Sequence, residues 1–338
     1  MNRQSIARPP TRAESFRNRS FRWLTYCFAF LTILLVLFVV FEIGWASSPA
    51  MEKYGFGFIT GRTWDPNTGE FSILPEIWGT LYSSLFALLL GTVFGVAIAI
   101  FLSEHFFANF VYGVIKLFGL QHRAFWGRLP ERLEATLTSL IELLAAIPSV
   151  VYGLWGIFIL IPLIRPWCNW IHDHLGWIPI FGTNLSGPGM LPASLVLAIM
   201  ILPTITAISR DALVAVPRKL RDAAYGLGAT RWEAIFGVIL PTASAGVFGA
   251  IVLAFGRALG ETMALAMLIG NANEISWSLF SPANTLAALL ANNFGEAGDR
   301  EKAVLMYAAL VLLAITLIVN IFGAMILQRA QAGQRGLR

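Results

Sequence analysis

The sequence predicts an all-α polytopic membrane protein with six transmembrane helices and both termini cytoplasmic. Three observations carry this. Of 338 residues, 57% are hydrophobic and only 13% charged, against about 25% charged in ordinary soluble domains. A mean hydropathy of +0.70 leaves too few polar side chains to coat a water-soluble core. Six stretches reach the roughly 20 mostly apolar residues that a helix needs to cross the hydrocarbon, and Lys and Arg crowd into alternate loops. The same composition excludes a disordered chain, and two cysteines make no disulfide framework.

In order, the stretches are about 23–46, 78–102, 137–164, 191–209, 240–269 and 303–327. The first follows Arg17, Arg19 and Arg22 and precedes Ala46-Ser-Ser, as a cleavable leader would, but its apolar run is too long for one. A retained anchor is expected, with Glu42 snorkelling from its outer end. Pro148 predicts a kink in the long third stretch. Glu142, just before it, either lines a pathway or sits at the cytoplasmic end of its helix. All six stretches are broken by Gly, Pro, Ser or Thr, which suits helices packed on one another.

Orientation follows from the basic residues. The N-terminal tail, from Arg3 and Arg8 to Arg22, the loops after the second and fourth stretches, and the C-terminal tail hold eighteen of the 24 Lys and Arg. The opposite side has Lys53, Arg62, Arg165, Arg300 and Lys302. The net charge of +5 comes from this asymmetry and so is no argument for nucleic acid; the partner the spans imply is the lipid membrane. Cys27 lies in the first stretch and Cys168 in an outward loop, so they should not pair. His172-Asp173-His174 in that loop has no further ligand nearby, and no metal is expected.

Two segments carry candidate function. The loop from Pro217 to Glu233 reads as two short helices. Pro217 opens the first, Gly226 or Gly228 ends it by accepting positive φ, and Thr230 with Glu233 makes a capping box for the second. Trp232, Ile235 and Phe236 give that second helix an apolar stripe before Pro241 opens the fifth stretch. Small Ala223 and Ala224 let the first helix lie flush in another protein's groove, with Asp222 available at its rim. The other segment is Phe255-Gly-Arg-Ala-Leu-Gly-Glu-Thr-Met-Ala within the fifth stretch. Arg257 and Glu261 are four apart, so on a helix they share a face and can pair; either alone at the bilayer centre costs a few kcal/mol or more. Gly256 and Gly260 form a smooth stripe where a partner helix can pack. The guanidinium is shaped for bidentate oxyanion contacts, and Glu261 would keep it from holding an anion too tightly. A buried structural salt bridge is the alternative reading.

The series Asp222-Ala-Ala, Gly228, Val238, Leu240-Pro241 resembles the EAA loop of ABC-importer permeases, with Asp222 where Glu is commoner. The Arg257 segment, together with Ile141-Glu-Leu-Leu-Ala-Ala-Ile-Pro-Ser-Val-Val-Tyr-Gly, is similar to signatures of the phosphate-specific members over about residues 70–328. Thr262-Met263 and the Arg-rich tail favour the C-type subunit. The resemblance implies a type I permease-like bundle in the bacterial inner membrane, forming half of a phosphate pathway. It implies a homologous A-type permease, two copies of a separate ATPase carrying ATP and Mg, and an extracytoplasmic phosphate-binding protein. Asp222, Ala223, Ala224 and Gly228 become the ATPase contact, and Arg257 and Glu261 the charged pair important for transport. The implied domains are a basic tail (1–22), the first span and outward loop (23–70), the permease domain (71–328) with its coupling loop (217–241), and a second tail (329–338).

No Lys follows a Gly, so the chain has no Gly-x-x-x-x-Gly-Lys phosphate loop. No catalysis and no cofactor are therefore expected in this chain. Rival readings are a permease for another oxyanion or solute, and a membrane sensor or scaffold that transports nothing. A secondary transporter is disfavoured by the absence of an evident inverted repeat.

Overall fold

A capping box between Thr11 and Glu14 opens the first helix, α1 (Arg12–Tyr54), which continues for 43 residues. At 1.5 Å per residue that is about 65 Å, roughly twice the hydrocarbon thickness. The computed structural model describes residues 11–117 and 124–335. Arg3 and Arg8 of the basic tail, Arg123, and Arg338 of the second tail lie outside the described residues. A short turn, α2 (Gly57–Thr60), and a small hairpin of β1 (Trp64–Asp65) with β2 (Glu70–Phe71) follow. Then come α3 (Leu74–Ser103), α4 (Phe106–Leu117), α5 (Ala124–Leu144), α6 (Ser149–Trp155) and α7 (Ile161–Leu175). The second half contains α8 (Met190–Val214), α9 (Arg218–Gly226), α10 (Arg231–Ala234), α11 (Leu240–Leu259), α12 (Met263–Leu268), α13 (Leu286–Asn293) and α14 (Asp299–Arg335). Among the described residues, six helical segments are long and apolar enough to cross a membrane.

The centre of the bundle is α8. Its apolar stretch is the most buried of the six, whereas that of α1 has no buried residue. Lipid is as apolar as leucine, so close van der Waals approach and internal hydrogen bonds hold these helices together. Ile201 and Ile205 of α8 press onto α3 at Gly91 and Gly95, where added Cβ atoms would come within 3.0 Å of them. The Thr206 hydroxyl donates to the Gly95 carbonyl at 3.2 Å. By contrast α1 touches the rest of the chain along α14 and through a separate cluster at its far end. There Phe58 is fully buried and stacks on Tyr307 at 4.5 Å, with Ile73, Leu286 and Leu305 around them.

Two of the long apolar runs differ from the sequence reading. Pro148 breaks the third instead of kinking it. The chain leaves α5 at Leu144 and restarts at Ser149, with Pro148 extended (φ −57°, ψ 138°). Proline forbids the helical bond at its own nitrogen and biases the residue before it away from the helical region. Beyond the break the helix runs further than predicted, through a π-helical turn at Gly156–Leu160 and on to Leu175. Arg165, Cys168 and His172-Asp173-His174, expected in an outward loop, are therefore on α7. The reason is packing: Cys168 is buried, and Ile164 and Ile171 lie against the core. The His172 ring nitrogen Nδ1 lies 2.7 Å from the Phe181 carbonyl, so that residue serves a turn.

The fifth run also breaks, at Gly260–Thr262, between α11 and α12. The segments just beyond the two breaks, α6 and α12, pack side by side. Gly153 of α6 faces Met267 and Ala264 of α12, and a Cβ there would lie 2.7 Å from the Met267 sulfur. A leucine at 153 has no room.

The Phe58 cluster predicts one stability effect. Phe58→Ala should lower the unfolding free energy of the purified protein by about 3 kcal/mol, as expected for emptying a buried aromatic site. Denaturant titration in detergent checks it, and a loss below about 1 kcal/mol would show that α1 is not anchored there.

Candidate functional site

The loop between the fourth and fifth spans forms as its sequence dictates. Helix α9 ends in a Schellman arrangement: Gly228 takes φ +85°, its amide donates to the Tyr225 carbonyl at 3.0 Å, and the Ala229 amide donates to Ala224 at 3.1 Å. Thr230 caps α10, its own amide donating to Glu233 Oε2 at 2.7 Å and its hydroxyl accepting from the Glu233 amide at 3.4 Å. A π-helical turn at Ile235–Ile239 then carries α10 into α11.

Asp222, Ala223 and Gly228 are exposed. Ala224 is not: it is buried against the chain's own helices, so it supports α9 from beneath and leaves Asp222 and Ala223 as the outward contact. Leu227, between them and Gly228, is 91% exposed.

What fixes this loop to the bundle was not read from the sequence. Arg221 forms an ion pair with Glu104 at the end of α3, and its other guanidinium nitrogen donates to the Leu213 carbonyl of α8 at 2.7 Å. Both side chains are largely buried, 17% and 9% exposed. One arginine thus binds the loop to two spans. The partners are 117 residues apart, and no local pattern links them.

Within the bundle, Arg257 occupies the last turn of α11 and Glu261 lies in the break after it. The expectation of two residues one turn apart on a single helix is corrected here. Glycine lowers helix stability by about 1 kcal/mol, and Gly260 serves as the C-cap of α11 (φ −94°, ψ 1°). The ion pairs of the described residues are His105–Glu134, Arg221–Glu104 and Lys302–Asp299; Arg257–Glu261 is not among them. Each charge sits instead at the helix end that suits it, the cation at a C-terminus and the carboxylate at an N-terminus. Glu261 Oε1 accepts from the Ala264 amide at 3.4 Å.

Arg257 is exposed, and its Nη1 reaches Thr204 Oγ1 of α8 at 3.4 Å. Tyr152 of α6 lies within electrostatic range of Arg257, and its hydroxyl donates back across the Pro148 break to the Leu144 carbonyl at 2.8 Å. Thr204 and Tyr152 are additions to the predicted set; a hydroxyl in the middle of a span and one beside the Pro148 break were the available signals. A Cβ added at Gly256 would lie 3.1 Å from the Asn320 side chain of α14, while one added at Gly260 would meet no other helix within 4 Å, so within this chain the two glycines do not form one packing stripe. Glu142 is exposed on the last turn of α5.

An exposed arginine with no ion-pair partner among the described residues, beside two interrupted apolar runs and a loop braced on two spans, suits a translocation subunit. The chain belongs to the family of binding-protein-dependent transport system inner membrane components, which matches residues 124–332. It is a multi-pass inner-membrane component of such a system. More particularly, it is 35% identical over 311 residues to the phosphate transport system permease protein PstC of Xylella fastidiosa (strain Temecula1), covering 90% of this chain and 89% of that one. It is 37% identical to PstC of Pasteurella multocida, covering 92% of each. The probable PstC of Methanocaldococcus jannaschii is 32% identical, over 91% of this chain and 93% of that one. Among solved structures, the inward-facing MetNI methionine ABC transporter aligns with a TM-score of 0.51 at 19% identity, over 76% of this chain and 95% of that one. The fold is thus that of an ABC-importer permease.

The Arg221 brace yields a second prediction. Glu104→Gln removes the counter-charge of a largely buried guanidinium, which should cost about 2–3 kcal/mol locally. Amide hydrogen exchange over residues 218–226 should quicken at least tenfold; unchanged exchange would mean that other contacts hold α9.

Proposed function

We propose that this chain is the C-type permease subunit of an ATP-driven phosphate importer and forms half of the pathway. The observation that carries the reading is Arg257, an exposed guanidinium on a spanning helix with no carboxylate in ion-pair contact among the described residues. Such a group at membrane depth persists only where it faces a polar pathway or a partner. Non-helical backbone there obeys the same rule, being tolerated only when buried in protein or lining water. Residues 145–148 and Gly260 are exposed in the isolated chain, so a second permease of A-type completes the enclosure. The relatives named above as phosphate transport permeases add the cargo.

In this reading Arg257 offers paired N–H donors to a phosphate oxyanion, with Thr204 adding a hydroxyl beside it, while the Tyr152 hydroxyl stays committed to the Leu144 carbonyl. Glu261, close in sequence but not bonded to it, keeps the local field from becoming so positive that the anion stays bound. Asp222, Ala223 and Gly228, with Ala224 as their support, dock one of two separate ATPase subunits, which hold ATP and Mg. Closure of those subunits pushes on α9, and the Arg221 brace passes the displacement to α3 and α8. An extracytoplasmic phosphate-binding protein delivers cargo at the opposite face, and both termini of this chain are cytoplasmic. The chain itself makes and breaks no covalent bond.

Two measurements test this. Arg257→Gln should cut radiolabelled phosphate uptake by the reconstituted complex about a hundredfold, the scale of one lost charge-assisted contact, while co-purification of partners is unchanged. Arsenate should compete in the wild type and sulfate and molybdate should not; preference for either of those would transfer the assignment to another oxyanion. Gly228→Asp should leave ATP hydrolysis running while uptake falls at least tenfold, because it alters the docking surface at the turn. Normal coupled transport in that variant would remove the docking role from this loop.

A further inference from the structure

A polar cleft of about 470 Å³ opens on the face of the bundle that carries α9 and α10. Its walls come from the α3–α4 turn, the end of α8, and both loop helices, and they include Arg218, Arg221, Arg231, His105, Asn109 and Tyr225. One carboxylate, Glu104, also lines it, and Arg221 consumes that charge through their ion pair. His105 is engaged with Glu134 at 2.9 Å. Arg218 and Arg231 remain. Among the described residues neither has a carboxylate partner, and Arg231 lies over the Phe106 ring at 5.4 Å, a contact with no carboxylate in it. The cleft therefore presents two uncompensated guanidinium groups beside the amide of Asn109 and the hydroxyl of Tyr225. Planar forks of N–H donors backed by neutral donors match the oxygens of a phosphate group.

The position of the cleft identifies the level at which that group arrives. Phe106, Trp232 and Phe236 stack in a row along its margin, at 5.4 Å and 5.9 Å. Trp232 and Phe236 are each 57% exposed, and Phe110 and Leu117 of adjoining α4 are more so. Exposed aromatics beside a basic patch mark the headgroup layer of a bilayer.

We propose that this cleft is a phosphate-group site, occupied by the headgroup of an anionic phospholipid, that fastens the α9–α10 loop to the α3–α4 turn. It is distinct from the Arg257 pathway and does not depend on the identity of the transported solute. Free inorganic phosphate presents the same chemistry and is the other source of the group.

The experiment uses the full chain purified in detergent. Native mass spectrometry counts retained phosphatidylglycerol against phosphatidylcholine, and equilibrium dialysis measures binding of labelled inorganic phosphate. Wild type and Lys219→Gln, which changes a charge on α9 outside the cleft, should retain phosphatidylglycerol. The double variant Arg218→Gln/Arg231→Gln should retain about thirtyfold less, in line with the loss of two basic contacts at a membrane surface. Asn109→Asp, an exposed position where folding is not at stake, should show the same loss by adding a repelling carboxylate. Phosphate binding that both cleft variants weaken, without a lipid preference, upholds the site with the free ion as its occupant. If the variants match wild type in both arms, the proposal is overturned; should the double variant fail to fold, Asn109→Asp decides alone.

Discussion

Hydrocarbon offers no hydrogen bonds, so every backbone amide and carbonyl of a membrane helix must find its partner within the protein. The rest of this structure is arranged around that constraint. Interrupting an apolar run frees several such groups at once, and two of this chain's six runs are interrupted, at residues 145–148 and 260–262. At the first break the Ala145 and Ala146 amides turn back to Glu142 and Leu143, and the Tyr152 hydroxyl takes up the Leu144 carbonyl. At the second, the Glu261 carboxylate accepts from an amide of α12. The side chains that repair the breaks are also those grouped near Arg257. Polar atoms needed to satisfy interrupted backbone are the ones a polar pathway would use.

An ion pair between Arg257 and Glu261 would have neutralised both groups and closed that surface. Separation by the Gly260 break leaves each charge stabilised by the end of its own half-helix, a weaker field than a contacting counter-ion. A cation held this way can exchange partners. The same residues in one continuous helix would have made a structural salt bridge, with desolvation costs offsetting most of its attraction. Backbone geometry, more than residue identity, separates the two outcomes.

Helix α8 connects the two candidate regions. Near its middle Thr204 meets Arg257, and at its end the Leu213 carbonyl holds Arg221 of the loop. It is also the most buried spanning helix, pressed on α3 through glycine contacts that leave no slack. Close-packed interiors transmit displacement because their side chains cannot absorb it. One rigid element therefore joins the loop to the level of Arg257. The peripheral α1, anchored on α14 and at Phe58, stands outside that line.

Composition with the placing of its apolar runs determined that this is a six-span membrane protein, because runs of about twenty apolar residues fit a bilayer. The caps of α9 and α10 were equally legible: Gly228, Thr230 and Glu233 act through neighbours within a few residues, which spacing records. Arg257 was visible as a charge that lipid would reject. Its separation from Glu261 was not, since a four-residue spacing reads as one helical turn unless something interrupts the helix, and Gly260 breaks one only in a setting where α12 can pack on α6 instead. Nor could the sequence show that Pro148 divides a helix, that Ala224 faces inward, or that Arg221 seeks Glu104. Those outcomes depend on which surfaces meet across more than a hundred residues, and only the packed bundle brings them together.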